Sequence, residues 1–445
     1  MEAEDDCPSL FFFEEDGLFQ NQKEILRIAL PAMGENFLQM LMGMVDGYLV
    51  AHLGIIAISG VSVAGNIITI YQAVFIALGA AVASLLSRSL GQRDNDSLAH
   101  YARESIKVTL LLSLLLGVFS ALGGHAILNF LGTEAAVADA GALYLTLVGG
   151  TTVLLGLTMT LGTLIRVTRN PRLPMCVSIL SNVLNLVFSS FAIYGLKLGI
   201  AGVAWGTILA RLVGVVILWR QVDITLLEFD KGLDRKLLAL ALPAAGERLL
   251  MRAGDVVIVA IIVAFGTEIV AGNAVGETLT QFNYMPALGV ATATVMLVAH
   301  SVGMQDWQEV EKLTKQSYWI SLAFMFPIGL TILLLGQPLT QLYTSDAGAI
   351  GASLTVILYS AFCMPLTAGT LVYTALWQGM GNARLPFMAT AIGMWFIRIV
   401  AGYLMGLPLG MGLAGVWAAT LLDNAFRYLL LSYLYRRKIQ KERTL

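Results

Sequence analysis

Apolar stretches of about 20 residues or more, set apart by short charged or Gly/Pro-marked breaks, recur along the whole chain. That is the length of helix needed to cross about 30 Å of hydrocarbon. In lipid every backbone polar group must be satisfied within the structure, which leaves only helices and closed barrels as spanning solutions. Barrel strands are about 10 residues of alternating polarity. The runs 108–122 and 320–335 do not alternate, so they read as helices. Only 13% of the residues are charged and the mean hydropathy is +0.78, against about 25% charge in an ordinary soluble domain. Reading the apolar runs gives twelve helices, at roughly 24–52, 57–87, 106–124, 138–165, 173–195, 199–220, 237–265, 268–301, 316–335, 348–378, 385–406 and 411–435.

Other classes fall away on composition. A net charge of −2 with no basic cluster outside the membrane-flanking loops gives no nucleic-acid partner. Cys7, Cys176 and Cys363 have neither metal nor disulfide spacing. Residues 1–23 are acidic and lack the basic start of a cleavable signal, and read as an N-terminal tail. Alternate connections carry the cations, among them Arg88, Arg93, Arg166, Arg172, Lys231, Lys312 and Arg384, and the basic tail 436–445 joins them. Both termini are therefore expected on the cytoplasmic side of a cell (inner) membrane.

A repeat organises the rest. Pro31-Ala32-Met33-Gly34-Glu35 returns as Pro243-Ala244-Ala245-Gly246-Glu247, 212 positions later (243 − 31). Asn170 to Pro174 returns as Asn382 to Pro386 at the same offset, and Ser89, Gly91 and Asp94 return as Ser301, Gly303 and Asp306. Leu198 to Val203 returns as Met411 to Val416, shifted by one. Six helices per half is an even number, so both halves enter from the same side and form a parallel repeat. The expected layout is a six-helix lobe over 24–221, a linker over 222–236 and a six-helix lobe over 237–435, around a V-shaped central cavity.

These half-motifs resemble those of the multidrug and toxic compound extrusion (MATE) family. The resemblance rests on Pro31, Glu35, Asn36 and Gln39 followed by Val45-Asp46 and Leu53-Gly54, on Gly91-Gln92 with Asp94, on Asn170 to Pro174, on Asn185, and in the second half on Leu242 to Glu247 and Gly381 to Pro386. It implies a monomeric, two-lobed exporter that needs no cofactor and exchanges organic, often cationic, compounds for protons or sodium ions. It further implies that Asp46 is the coupling carboxylate, with Asn185 and Thr207 beside it and Asn182 one turn away. Asp46, Asn185 and Thr207 offer the hard oxygens of a sodium site, and the same group is equally suited to hold a proton. Ser189 replaces a second carboxylate of many relatives.

The residues themselves add candidates, since a charge in a membrane helix is costly and should face a cavity or a partner. Glu35 and Asp46 are 11 positions apart, within about 20° of each other and about 16 Å along the axis, on one face of helix 1. Helix 7 carries Glu247, Arg248, Arg252 and Asp255, the last pairing within the helix or with a neighbour; Glu277 on helix 8 is another acid. Asp423 and Arg427 form an i, i+4 pair, and Arg398 requires an acid, with Glu277 or Asp255 at hand. Gln39, Met42, Tyr48, Gln281, Tyr284, Tyr373 and Trp377 are the candidates for a deformable, cation-tolerant cavity wall. No Walker sequence is present and the four histidines are scattered, which argues against a nucleotide-driven pump or a membrane enzyme. A flippase for lipid-linked headgroups is the nearest rival; it needs a strongly basic cavity.

Overall fold

The computed structural model describes residues 18–130, 132–168, 170–222 and 232–442. Twelve helical rods account for nearly all of them: α1 (Leu18–Ala51), α2 (Ile55–Gly91), α3 (Asn95–Phe130), α4 (Ala135–Gly149 with Thr152–Thr168), α5 (Arg172–Gly195), α6 (Gly199–Trp219), α7 (Arg235–Val263), α8 (Thr267–Gly303), α9 (Trp307–Leu334), α10 (Ala347–Gly379), α11 (Arg384–Gly406) and α12 (Gly412–Glu442). Eight are long and apolar enough to cross a membrane, and α4 joins them if its 44° bend is counted as one span. The other three are α1, α7 and α12, the rods that carry Glu35 and Asp46, Glu247 to Asp255, and Asp423 with Arg427. The chain is a multi-pass membrane protein, and two of these least apolar helices hold the buried Glu247, Asp423 and Arg427.

Two expected boundaries differ. The basic stretch from Arg436 continues α12 as far as Glu442 instead of leaving it as a tail, because nothing there breaks helix. Likewise α7 opens at Arg235, inside the expected linker, since Asp234 caps it by accepting from the Leu237 N–H at 2.8 Å. Residues 1–17 of the acidic segment, linker residues 223–231 and the last three residues lie outside the described residues.

The backbone repeats with the sequence. Gly54 and Gly266 start α2 and α8 with φ of 109° and 103°, a conformation only glycine adopts freely. Arg93 and Gln305 sit in the left-handed region after the same two helices, and Lys197 and Gly410 do so before α6 and α12. The offset is 212 for the first two pairs and 213 for the third. The extra residue falls within the stretch containing the nine-residue π segment of α11 (Ala391–Ile399), where the wider turn takes up one residue without breaking the helix.

The lobes meet mainly along α1 and α2 of the first and α7 and α8 of the second. Gly91 and Gly303, equivalent in the repeat, close this seam at the ends of α2 and α8. A Cβ on Gly91 would overlap the His300 carbonyl, and one on Gly303 the Arg88 carbonyl. The backbones approach this closely because neither residue has a side chain. Ser84 Oγ donates to the Gln378 carbonyl at 2.8 Å nearby, and farther along the seam Phe37 meets Phe282 with ring centroids 6.1 Å apart.

Candidate functional site

In the first lobe α5 and α6 bring three polar side chains to Asp46 of α1. Asn185 Nδ2 donates to Asp46 Oδ1 at 2.8 Å. The Asn185 Oδ1 atom accepts from Ser189 Oγ at 2.9 Å and from Thr207 Oγ1 at 3.3 Å. Asn185, Ser189 and Thr207 are buried, whereas Asp46 is half-buried. The amide therefore offers Asp46 its N–H, while its oxygen is engaged by two hydroxyls. Asn185 thus turns its N–H toward Asp46, an arrangement that suits an ionised carboxylate, and the Thr207 hydroxyl also reaches the Val203 carbonyl at 3.0 Å. Asn182 lies elsewhere, its Nδ2 donating to the Leu38 carbonyl at 3.2 Å as a tie between α5 and α1.

Two neighbours were not evident from sequence. Tyr144 of α4 contacts Thr207, and Arg211 of α6 lies close enough to act electrostatically on both Asp46 and Tyr144. Arg211 follows Thr207 by one helical turn, a spacing that would have found it.

The second lobe builds a related cluster with two residues exchanged and its carboxylate about one turn earlier, since the repeat mate of Asp46 is Ile258 and Asp255 stands for Gly43. Arg398 Nη1 reaches Asp255 Oδ1 at 3.2 Å and its Nε donates to Thr420 Oγ1 at 3.0 Å. At an offset of 213, Arg398 stands for Asn185, Thr420 for Thr207 and Asn424 for Arg211. Arginine and asparagine thus trade places between the lobes. Glu277 sits beside Asn273, in the field of Arg398 and Asp255. Asp255 pairs with α11 and not with Arg252 of its own helix. Asp423 and Arg427 pair at 2.8 Å, both buried.

Glu35 is ion-paired with Arg166 of α4. Its repeat mate Glu247 faces Gln378, the mate of Arg166, whose Nε2 donates to Glu247 Oε2 at 3.3 Å; Thr390 Oγ1 donates to Oε1, also at 3.3 Å. The same joint is ionic in one lobe and half-neutral in the other.

Between the lobes lies a cavity of about 170 Å³. Its walls are repeat mates, Asn36 with Arg248, Ile76 with Leu288, Gly79 with Ala291 and Arg166 with Gln378, so it straddles the axis relating the halves. Of the expected wall residues it includes Gln39, whose Oε1 accepts from Gln72 at 2.7 Å, but not Met42, Tyr48, Gln281, Tyr284, Tyr373 or Trp377. Trp377 is buried and donates to the Leu431 carbonyl at 3.1 Å, and Tyr373 packs on Tyr428 and Tyr435. These two bind α10 to α12. Tyr48 borders a separate apolar recess with Leu41, Met44 and Tyr194. Met42 and Tyr284 are half-buried and Gln281 is exposed, all outside the axial wall. The charged wall residues are Glu35, Arg166 and Arg248.

Comparison with known proteins agrees with the two-lobed reading. The MatE family model matches residues 31–191 and again 243–404. A probable multidrug resistance protein NorM of Thermotoga maritima is 29% identical over 420 residues, covering 91% of this chain and 90% of that protein. An uncharacterized transporter, YisQ, of Bacillus subtilis is 24% identical over 93% of this chain and 94% of its own length. The fold is that of an outward-facing multidrug resistance MATE family transporter of the MOP superfamily, with a TM-score of 0.88 at 20% identity over 97% of this chain and 100% of that one. With its all-helical fold and a family match in each half, this chain is a transporter, not an enzyme, and belongs to the MatE family.

Proposed function

We propose that this chain is a secondary active multidrug exporter that moves amphipathic organic compounds out of the cell by alternating access, in exchange for protons carried on Asp46. It works as a monomer in the inner membrane, with both termini cytoplasmic. The names of relatives as multidrug resistance proteins support the substrate class. The observation that carries the coupling is Asp46 itself: a half-buried carboxylate in a membrane helix, held by one amide N–H.

An ionised Asp46 takes a charge-assisted hydrogen bond from Asn185, and a protonated one loses most of that attraction. Protonation thereby loosens α1 from α5, and the charge that would otherwise be costly in a membrane helix disappears. Arg211 nearby makes the ionised form tolerable between protonations. In the second lobe Arg398 already stands against Asp255 as a tethered counter-ion, so the exchangeable site is in the first lobe.

The test is transport by the purified protein in vesicles under an imposed proton gradient, an imposed sodium gradient, or neither. Uptake driven by the proton gradient alone is expected; uptake driven only by sodium refutes the proton assignment.

A further inference from the structure

We propose that the axial cavity takes amphipathic compounds bearing an acidic group, a carboxylate or a phosphate, and that this group docks on Arg248. The cavity carries three charged wall residues, and two of them, Glu35 and Arg166, neutralise each other. Arg248 acts electrostatically on the adjacent Glu247, but its guanidinium N–H groups make no hydrogen bond or salt bridge with a described residue and remain available to a ligand. Its neighbour in the chain, Glu247, is buried, does not line the cavity, and has its two oxygens engaged by Gln378 and Thr390. The repeat sharpens the point: the place of Arg248 is taken in the first lobe by Asn36, which also lines the cavity, so the charge is one-sided across an otherwise symmetric wall.

The chemistry of the remaining wall says what the rest of the ligand is. Asn36, Thr292, Thr374 and Gln378 add uncharged hydrogen-bonding groups, while Phe75, Ile76, Leu288 and Leu371 provide apolar surface. A planar guanidinium donates two parallel N–H bonds to a carboxylate or phosphate, and little water competes in a recess between lobes. A bare cation would meet Arg248 as a like charge. An acid with an apolar body satisfies both halves of the wall.

This inference deepens the export reading, and its test is chosen to be independent of coupling. Binding to the purified full chain in nanodiscs, with no gradient, is measured for one aryl-alkyl skeleton carrying a carboxylate, its methyl ester or a trimethylammonium group. The acid is expected to bind at least about tenfold tighter than the ester, the least that a charge-assisted hydrogen bond contributes. Arg248→Gln should bring acid binding down to that of the ester, while Arg248→Lys keeps part of the preference. Asp46→Asn should keep the preference even if it abolishes transport, so failure of the coupling reading is seen separately. Competition by lysophosphatidate that depends on Arg248 would name a lipid phosphate as the source of the acid, and competition by the soluble aryl acid alone would name a free compound. Equal binding of acid and ester, tighter binding of the ammonium compound, or a preference that survives Arg248→Gln in a protein that melts normally would overturn the proposal.

Discussion

Glu35 and Arg166 form an ion pair between α1 and α4, and their repeat mates Glu247 and Gln378 meet at the same joint between α7 and α10 with one charge removed. The two lobes thus run the same contact in two electrostatic versions. Removing one partner of a mostly buried ion pair leaves the other charge uncompensated. Glu35→Gln should therefore cost about 3 kcal/mol of stability. The Glu35→Gln, Arg166→Gln double variant should recover much of it, and a double-mutant cycle on thermal unfolding measures the coupling.

Asp46→Asn keeps the shape of the side chain and removes its ability to ionise. Gradient-driven efflux should be abolished while the melting temperature stays near wild type. Asp255→Asn should leave the ion dependence of transport unchanged, because Arg398 already neutralises that acid. Efflux against pH and sodium for both variants separates the lobes; if Asp255→Asn alone loses ion dependence, the assignment of the exchangeable site is reversed.

Gly91 and Gly303 make a third, geometric prediction. A methyl group at either place overlaps a backbone carbonyl, which no rotamer change relieves. Gly91→Ala and Gly303→Ala should each cost about 1–3 kcal/mol in the state described here, as overpacking does. Distance measurements between spin labels on the α2–α3 and α8–α9 turns should show the two turns moving apart.

Asp234 links the described end of the linker to the first lobe. Burial opposes its ionisation, but the hydrogen bond from the Leu237 N–H and the nearby His100, 3.3 Å away, hold its carboxyl below the usual value. A depressed value means that the stabilisation is fully present above the unfolded carboxyl value, about 3.9, and is lost as pH falls through the lower folded one. Asp234→Ala should cost about 1 kcal/mol at neutral pH, typical of a lost helix cap. The difference from wild type in thermal unfolding should shrink once the pH is below about 3.9.

The repeat was legible in the sequence almost to the residue, because the motifs at Pro31, Ser89 and Asn170 hold backbone features that each half must build again. Asp46 and Asn185 were legible through family resemblance and their mutual hydrogen bond through neither. Arg211 and Tyr144 were missed because apolar periodicity reports which face is buried and not which rods become neighbours. Tyr373 and Trp377 pack between helices instead of lining the axial cavity, for a related reason. An aromatic at helical spacing looks the same whether it faces a ligand or another helix, and here α12 takes both.

The nine-residue π segment of α11 also bears on how the halves can diverge. One residue inserted into an ordinary α-helix turns everything beyond it by about 100°, enough to point a buried face at lipid. Because the insertion is swallowed by a widened turn, Arg398 and Thr420 still face Asp255. A chimera that replaced α11 with a copy of α5 would arrive one residue short, and would have to shorten the following loop or misdirect α12. Length changes after a duplication can thus be stored inside a membrane helix without either copy losing its partners.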